Sequence, residues 1–354
     1  MSAISRKEVQ TERLRISYLE AGNPAYEPVL LLHGNVSSSL FWTDTIEFLS
    51  DRYRVLAPDL RGYGETQAEP IDATRGLRDW SEDLASFIQS LGIDRTVHLI
   101  GWSMGASVLM QLLIDRPGTA ASLTLLNPMS PFGFGGTRDV EGTPCHADFA
   151  GSGGGTANPV FAERLKNGDR TDEDPNSPRN VLNQFYIKPP FRAEKEEVYV
   201  TSMLTTRVGP GLYPGAFVAS ANWPGVAPGT DGINNAISPQ YVNLSSFSSI
   251  AEKPPILWIR GSDDAIVSDT SFLDFGYLGQ LGYVPDWPGP DVYPPQPMVS
   301  QMRLLLDRYQ AGGGSYEEVV IEEAGHSLHI EKPEVFRKVW SRFVSDGSKV
   351  KSKT

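Results

Sequence analysis

The residues most able to do chemistry lie at strand ends. The stretch Val97-His98-Leu99-Ile100-Gly101-Trp102-Ser103-Met104-Gly105-Ala106 reads as an apolar strand that runs into G-x-S-x-G and then into a helix. That is the context in which a serine is raised above a sheet as a nucleophile. Gly101 and Gly105 lack a Cβ, so the backbone can turn sharply there and the following helix can pack close. A hydroxyl is a weak nucleophile, and a base must take its proton. Five histidines are available: His33, His98, His146, His326 and His329. His98 lies inside the strand leading to the serine, His33 sits in the exit turn of another apolar strand, and His146 falls in a segment with no placed scaffold. His326 follows the strand-like run Glu317 to Glu322 and precedes Pro333, which opens a last helix, so it is the expected base. His329 is expected to pack or cap near that helix. The base in turn needs a carboxylate to hold its tautomer. Asp263 and Asp264 both follow the apolar run Ile256 to Ile259, and one of the two serves the turn. The run ending Leu126-Asn127-Pro128-Met129 offers no rival acid.

Strands and helices must alternate to bring these ends together. An alternating segment from Arg13 to Ala21 reads as an exposed antiparallel strand, and Pro28 to Leu32 as a buried one. Further strands are expected at Tyr53 to Asp59, Val97 to Trp102, Ser122 to Leu126, Pro255 to Arg260 and Glu317 to Glu322. Helices are expected at Leu77 to Leu91, Ala106 to Ile114, Val299 to Tyr309 and Pro333 to Val344. Such an order predicts an α/β protein with a doubly wound, mostly parallel sheet covered on both faces. Between 131 and 246 the texture changes to Gly-rich and Pro-rich stretches around short helices at Pro159 to Asn167, Pro178 to Ile187 and Glu194 to Val208. The expected organisation is therefore a core of 1–130 and 247–354, interrupted by a partly helical cap over 131–246.

In this arrangement the chain resembles the α/β-hydrolase superfamily, in particular the branch of haloalkane dehalogenases, epoxide hydrolases and serine esterases. The matching positions span nearly all of the chain outside the cap. They include His33-Gly34-Asn35 with Ser37-Ser38-Ser39 after it, and Asp59-Leu60-Arg61-Gly62-Tyr63-Gly64 after the next strand. The resemblance implies the α/β-hydrolase fold and backbone N–H groups of Asn35 and Met104 as the oxyanion hole. It also implies Asp264 as the acid, three residues after Gly261. One departure matters: dehalogenases and epoxide hydrolases carry Asp as nucleophile, and this chain has Ser103. Alkyl-enzyme chemistry is thereby removed and acyl transfer remains. Ser103, His326 and Asp264 are expected to cleave an ester or lactone through an acyl-enzyme. Hydrolytic C–C cleavage of a β-diketone-like compound uses the same triad, and a homologue that only binds a small molecule is the alternative of another class.

A second insert, 268–300, holds Phe272, Phe275, Tyr277, Tyr283, Trp287 and Tyr293 amid Gly and Pro. It leaves the carboxyl end of a strand, where open α/β sheets bind ligands. Phe275, Tyr283 and Trp287, with Trp102 beside the nucleophile, are accordingly the expected contacts of a mainly apolar small-molecule substrate. Holding a long loop together or forming a subunit contact is the competing role of these rings. Acyl transfer of this kind uses no metal and no cofactor. A net charge of -12 and a pI near 5.0 argue against nucleic acid as a partner. No apolar run reaches the roughly 20 residues of a membrane span. The lone Cys145 and a polar start from Met1 to Gln10 fit a reducing cytoplasm. Nothing in the composition excludes a homo-oligomer. The basic end from Lys349 to Thr354 reads as a frayed tail.

Overall fold

The computed structural model describes residues 3–351. Its strands are β1 Ser5–Gln10, β2 Arg15–Ala21, β3 Glu27–Leu32, β4 Tyr53–Pro58, β5 Val97–Trp102, β6 Ala120–Leu126, a small ribbon of β7 Phe217–Ala219 and β8 Val226–Pro228, then β9 Ile256–Gly261 and β10 Tyr316–Ile321. Eight of them form one sheet in the order β1-β2-β4-β3-β5-β6-β9-β10. β1 and β2 are antiparallel to their neighbours, and every pairing from β4 to β10 is parallel. The inner strands are continuous apolar runs because helices cover both of their faces. Val29 to Leu32, Leu99, Ile100 and Leu257 are all fully buried.

The helix Arg78–Ser90 shows the matching helical pattern: Trp80, Leu84, Phe87 and Ile88 are buried, at spacings that make one stripe. The helix Met104–Asp115 has no such polar face, since every residue from Met104 to Leu113 is buried. It starts two residues before the expected Ala106, directly at the elbow.

Two expectations change. β2 is buried almost throughout, although its sequence alternates. Its polar positions are satisfied by neighbours: Arg6 donates to Ser17 at 3.0 Å, and Lys7 and Arg54 pair with Glu20 at 2.7 and 2.8 Å. Tyr18 packs edge-on against Phe87, 5.1 Å between centroids. The exposed edge is instead β1, whose residues Ser-Arg-Lys-Glu-Val-Gln carry almost no apolar signal; charge on an edge strand discourages pairing with other chains. The tail expectation changes as well. The closing helix runs Pro333–Lys351, and 352–354 lie outside the described residues.

The insertion between β6 and β9 carries helices Pro159–Lys166, Pro178–Val181 and Glu196–Leu204. The expected helix Pro178 to Ile187 changes pitch at Leu182–Tyr186 to a wider π turn, closed by Ile187 N–H donating to Leu182 O at 2.9 Å. No helix among the described residues is long and apolar enough to cross a membrane.

Candidate active site

β5 ends at Trp102, and the next residue, Ser103, sits at φ 56°, in the left-handed region. For a non-glycine residue this conformation costs about 1–3 kcal/mol and persists only where the surroundings over-determine it. Here they do. Ser103 N–H donates to Leu126 O at 2.9 Å, and Ser103 O accepts from Ala106 N–H at 3.1 Å and Met129 N–H at 3.3 Å. Both flanking glycines are required by close approach. A Cβ on Gly101 would lie 2.5 Å from Ala106 Cα, and one on Gly105 would lie 2.3 Å from His33 O. The loop after β3 presses equally close, since a Cβ on Gly34 would lie 2.9 Å from Ser103 Cβ.

The next residue in that loop is Asn35. Its side chain is fixed: Asn35 Oδ1 accepts from Tyr63 OH at 2.7 Å and Val36 N–H at 2.9 Å, and its Nδ2 donates to Asn234 at 3.1 Å. Its carbonyl accepts from Tyr186 OH at 3.0 Å. Met104 opens its helix, so its N–H is one of the donors without an intrahelical acceptor. The loop is backed by His33, buried and neutral, with burial pushing its pKa down to about 4. His33 Nε2 accepts from Leu60 N–H at 2.9 Å while Nδ1 donates to Gly34 O at 2.9 Å. That tautomer ties the loop after β3 to the turn after β4.

Asp264 and His326 meet, Oδ2 to Nδ1, at 2.8 Å, with side chains only 2% and 1% exposed. The other carboxylate oxygen of Asp264 accepts from Ile266 and Val267 N–H at 2.8 and 2.9 Å. Asp263 turns outward to Lys188 at 2.7 Å, and that contact lowers its pKa. His329 is buried between Trp42 and Trp102, with centroids 4.5 and 5.3 Å away. Neither ring nitrogen bonds a side chain, and burial, helped by His326, pushes its pKa down to about 3. A ring so hard to protonate is a poor proton acceptor.

Trp102 is fully buried behind the His326 loop and donates to His326 O at 2.8 Å. Phe275 packs on Trp223, Trp287 lies over Gly279 and donates to Tyr293 O at 2.9 Å, and Tyr283 is 73% exposed. These contacts run to Trp223 of the insertion and within the insert itself.

Three residues that hold the site were not singled out in the sequence. Asn127, at the end of β6, donates to Gly325 O and His326 O at 3.1 and 2.6 Å and accepts from Gly261 N–H at 2.9 Å. It ties three strand ends together with one amide. Tyr63 and Tyr186 brace Asn35 as described. The available signal was position: each polar group follows or faces a strand end that also carries a candidate catalytic residue.

The chain belongs to the alpha/beta hydrolase family, whose model matches residues 29–339. It is similar to a probable lysophospholipase, BODYGUARD 1, of Arabidopsis thaliana, 36% identical over 126 residues, which is 34% of this chain and 26% of that protein. It is also 36% identical over 98 residues to the pimeloyl-[acyl-carrier protein] methyl ester esterase of Methylococcus capsulatus, covering 28% of this chain and 35% of that one. The matches thus span roughly a quarter to a third of these relatives. A crystal structure of a putative aryl esterase from Burkholderia cenocepacia superimposes with a TM-score of 0.61 over 98% of this chain and 100% of that one, at 18% identity.

Proposed function

We propose that the chain is a serine hydrolase that cleaves a carboxylic ester or lactone of a mainly apolar small molecule through an acyl-enzyme. The observation that carries this is the solvent-excluded Asp264–His326 hydrogen bond, joined to the strained serine elbow through Trp102, the residue before Ser103, which donates to His326 O. Asp264 fixes the proton of His326 on Nδ1, which leaves Nε2 as an acceptor. His326 takes the Ser103 proton as Oγ attacks the carbonyl, and the N–H groups of Asn35 and Met104 receive the oxyanion. Collapse expels the alcohol, which takes the proton from His326. Water, deprotonated by His326, then releases the acid. The insertion 131–246 covers the site in this scheme and excludes bulk water. The ester bond as target is supported by the methyl ester esterase likeness.

The test is direct. Ser103→Ala should stay folded and lose on the order of a million-fold in turnover of aryl esters and lactones. A fluorophosphonate should label Ser103 in the parent and nothing in the variant. Labelling at another serine, or turnover surviving the substitution, rejects the assignment.

A further inference from the structure

Five residues past His326 stands a carboxylate that the scheme above does not use. Glu331 is only 6% exposed. Its Oε2 accepts from Gly325 N–H at 3.0 Å and from Lys188 N–H at 3.2 Å. Gly325 directly precedes His326 and comes from the loop after β10, whereas Lys188 belongs to the insertion, just past the π turn. One oxygen atom therefore joins the histidine loop to the segment that lies over it. The junction is reinforced on both sides: Ser327 N–H donates to Tyr186 O at 2.9 Å, and Lys188 reaches Asp263, the neighbour of Asp264. The fit leaves no slack, because a Cβ on Gly325 would lie 2.9 Å from Lys188 N and 3.1 Å from Glu331 Oε1. A buried carboxylate is costly unless it accepts hydrogen bonds. Burial raises the Glu331 pKa, with a smaller contribution from nearby Asp264, while the Gly325 and Lys188 N–H groups act in the opposite direction.

We propose that Glu331 is a positioning residue for His326: its acceptor oxygen, bridging Gly325 N–H and Lys188 N–H, locks the histidine loop and the 186–188 strip of the insertion into one register. This rests on the serine hydrolase assignment only in that His326 is taken as the base. Without the bridge, the buried Gly325 N–H and the half-buried Lys188 N–H lose their acceptor and the loop can move relative to Asp264. A shift of about 1 Å in a catalytic group can cost on the order of a hundred-fold in rate. Because the bridge acts through the position of His326, its loss should appear in kcat and leave KM of a small ester nearly unchanged.

The experiment compares Glu331→Met with Glu331→Gln. Both fill the volume of Glu331, and only Gln keeps an acceptor oxygen. With a small aryl ester, Met should lower kcat about 10- to 100-fold with KM within about twofold, and Gln should stay within about threefold of the parent. A second readout needs no turnover: the low-field proton shared by His326 Nδ1 and Asp264 should be seen by NMR in the parent and in Gln, and broadened or lost in Met. A Met variant with parental kcat and an intact low-field proton overturns the bridge. So does a joint fall of kcat and melting temperature in both variants, which would mean a purely structural role. If Met does not fold, Gln decides alone, since loss of the signal in Gln removes the acceptor from the explanation. Turnover that survives Ser103→Ala would sink the hydrolase assignment and leave the NMR comparison standing.

Discussion

The sharpest prediction concerns two adjacent acids. Asp264 uses both of its oxygens: one accepts two backbone N–H groups, from Ile266 and Val267, and the other faces His326 Nδ1. Asn at this position has one oxygen and one NH2, and the two backbone donors will take the oxygen. The NH2 then points at Nδ1, which can only accept. The imidazole proton moves to Nε2, the nitrogen that should take the Ser103 proton, and the base becomes a donor. With both side chains at most 2% exposed, water cannot repair the mismatch. A forced tautomer of this kind lowers kcat about ten-thousand-fold, equivalent to about 5.5 kcal/mol of barrier. Asp263 offers the control: it is itself exposed and pairs with the half-buried Lys188, and surface pairs of that kind contribute little. Asp263→Asn should keep turnover within about threefold. The assay is kcat for a small aryl ester, with a thermal melt to show that each variant is folded. Asp264→Asn retaining more than about one part in a hundred of parental kcat, or Asp263→Asn falling as far, would refute the tautomer argument.

Other outcomes follow from the same geometry. His329→Phe should keep turnover within about tenfold, because a ring buried between Trp42 and Trp102 has no role as base. It should also change the pH dependence of stability. The folded state holds His329 near 3, below the ordinary value of 6.5, so the unfolded chain takes up a proton first and stability falls as pH drops below about 6.5. Removing this group should make the decline shallower by up to one proton, about 1.4 kcal/mol per pH unit between about pH 6 and 4. Thermal melts at pH 7, 6 and 5 read the difference, and parallel declines would reject it. Asn127→Ala should destabilise the protein by about 2–4 kcal/mol in urea unfolding, since Gly261 N–H and two carbonyls lose a buried partner. Alanine at Phe275, Tyr283 or Trp287 should leave the ratio of kcat/KM on a bulky and a small ester unchanged, with Trp287→Ala losing stability and exposed Tyr283→Ala losing none. A ratio altered by more than about fivefold would put this insert at the substrate.

How far the site was legible depended on whether its parts are local. The elbow is local: strand, G-x-S-x-G and helix lie within twenty residues, and each glycine answers a contact that a Cβ would block. β3, β5, β6 and β9 were legible because burial on both faces leaves an uninterrupted apolar run. β1 was not, since an edge strand needs no apolar side chain and Ser5 to Gln10 is read equally well as a polar lead. β2 misled in the opposite sense. Its alternation reads as one wet face, but Arg6, Lys7 and Arg54 come from β1 and β4 to satisfy that face, and no local pattern announces partners so placed. The second insert is not legible from composition alone: its rings could line a pocket or hold a loop, and Trp223, which packs on Phe275 and Tyr293, lies 45 residues before the insert begins. The supports of the histidine were the least visible, for the same reason. Asn127 follows β6 as a residue with no carboxylate that could rival Asp264. An amide, however, can donate and accept at once. Where β5, β6, β9 and β10 end side by side, carbonyls of the loop after β10 and an N–H of β9 are left facing each other. A carboxylate could have met only the donor, whereas Asn127 meets both kinds. The residue type was therefore informative, but only in combination with the strand order, which brings β6 next to β9 across an insertion of more than a hundred residues.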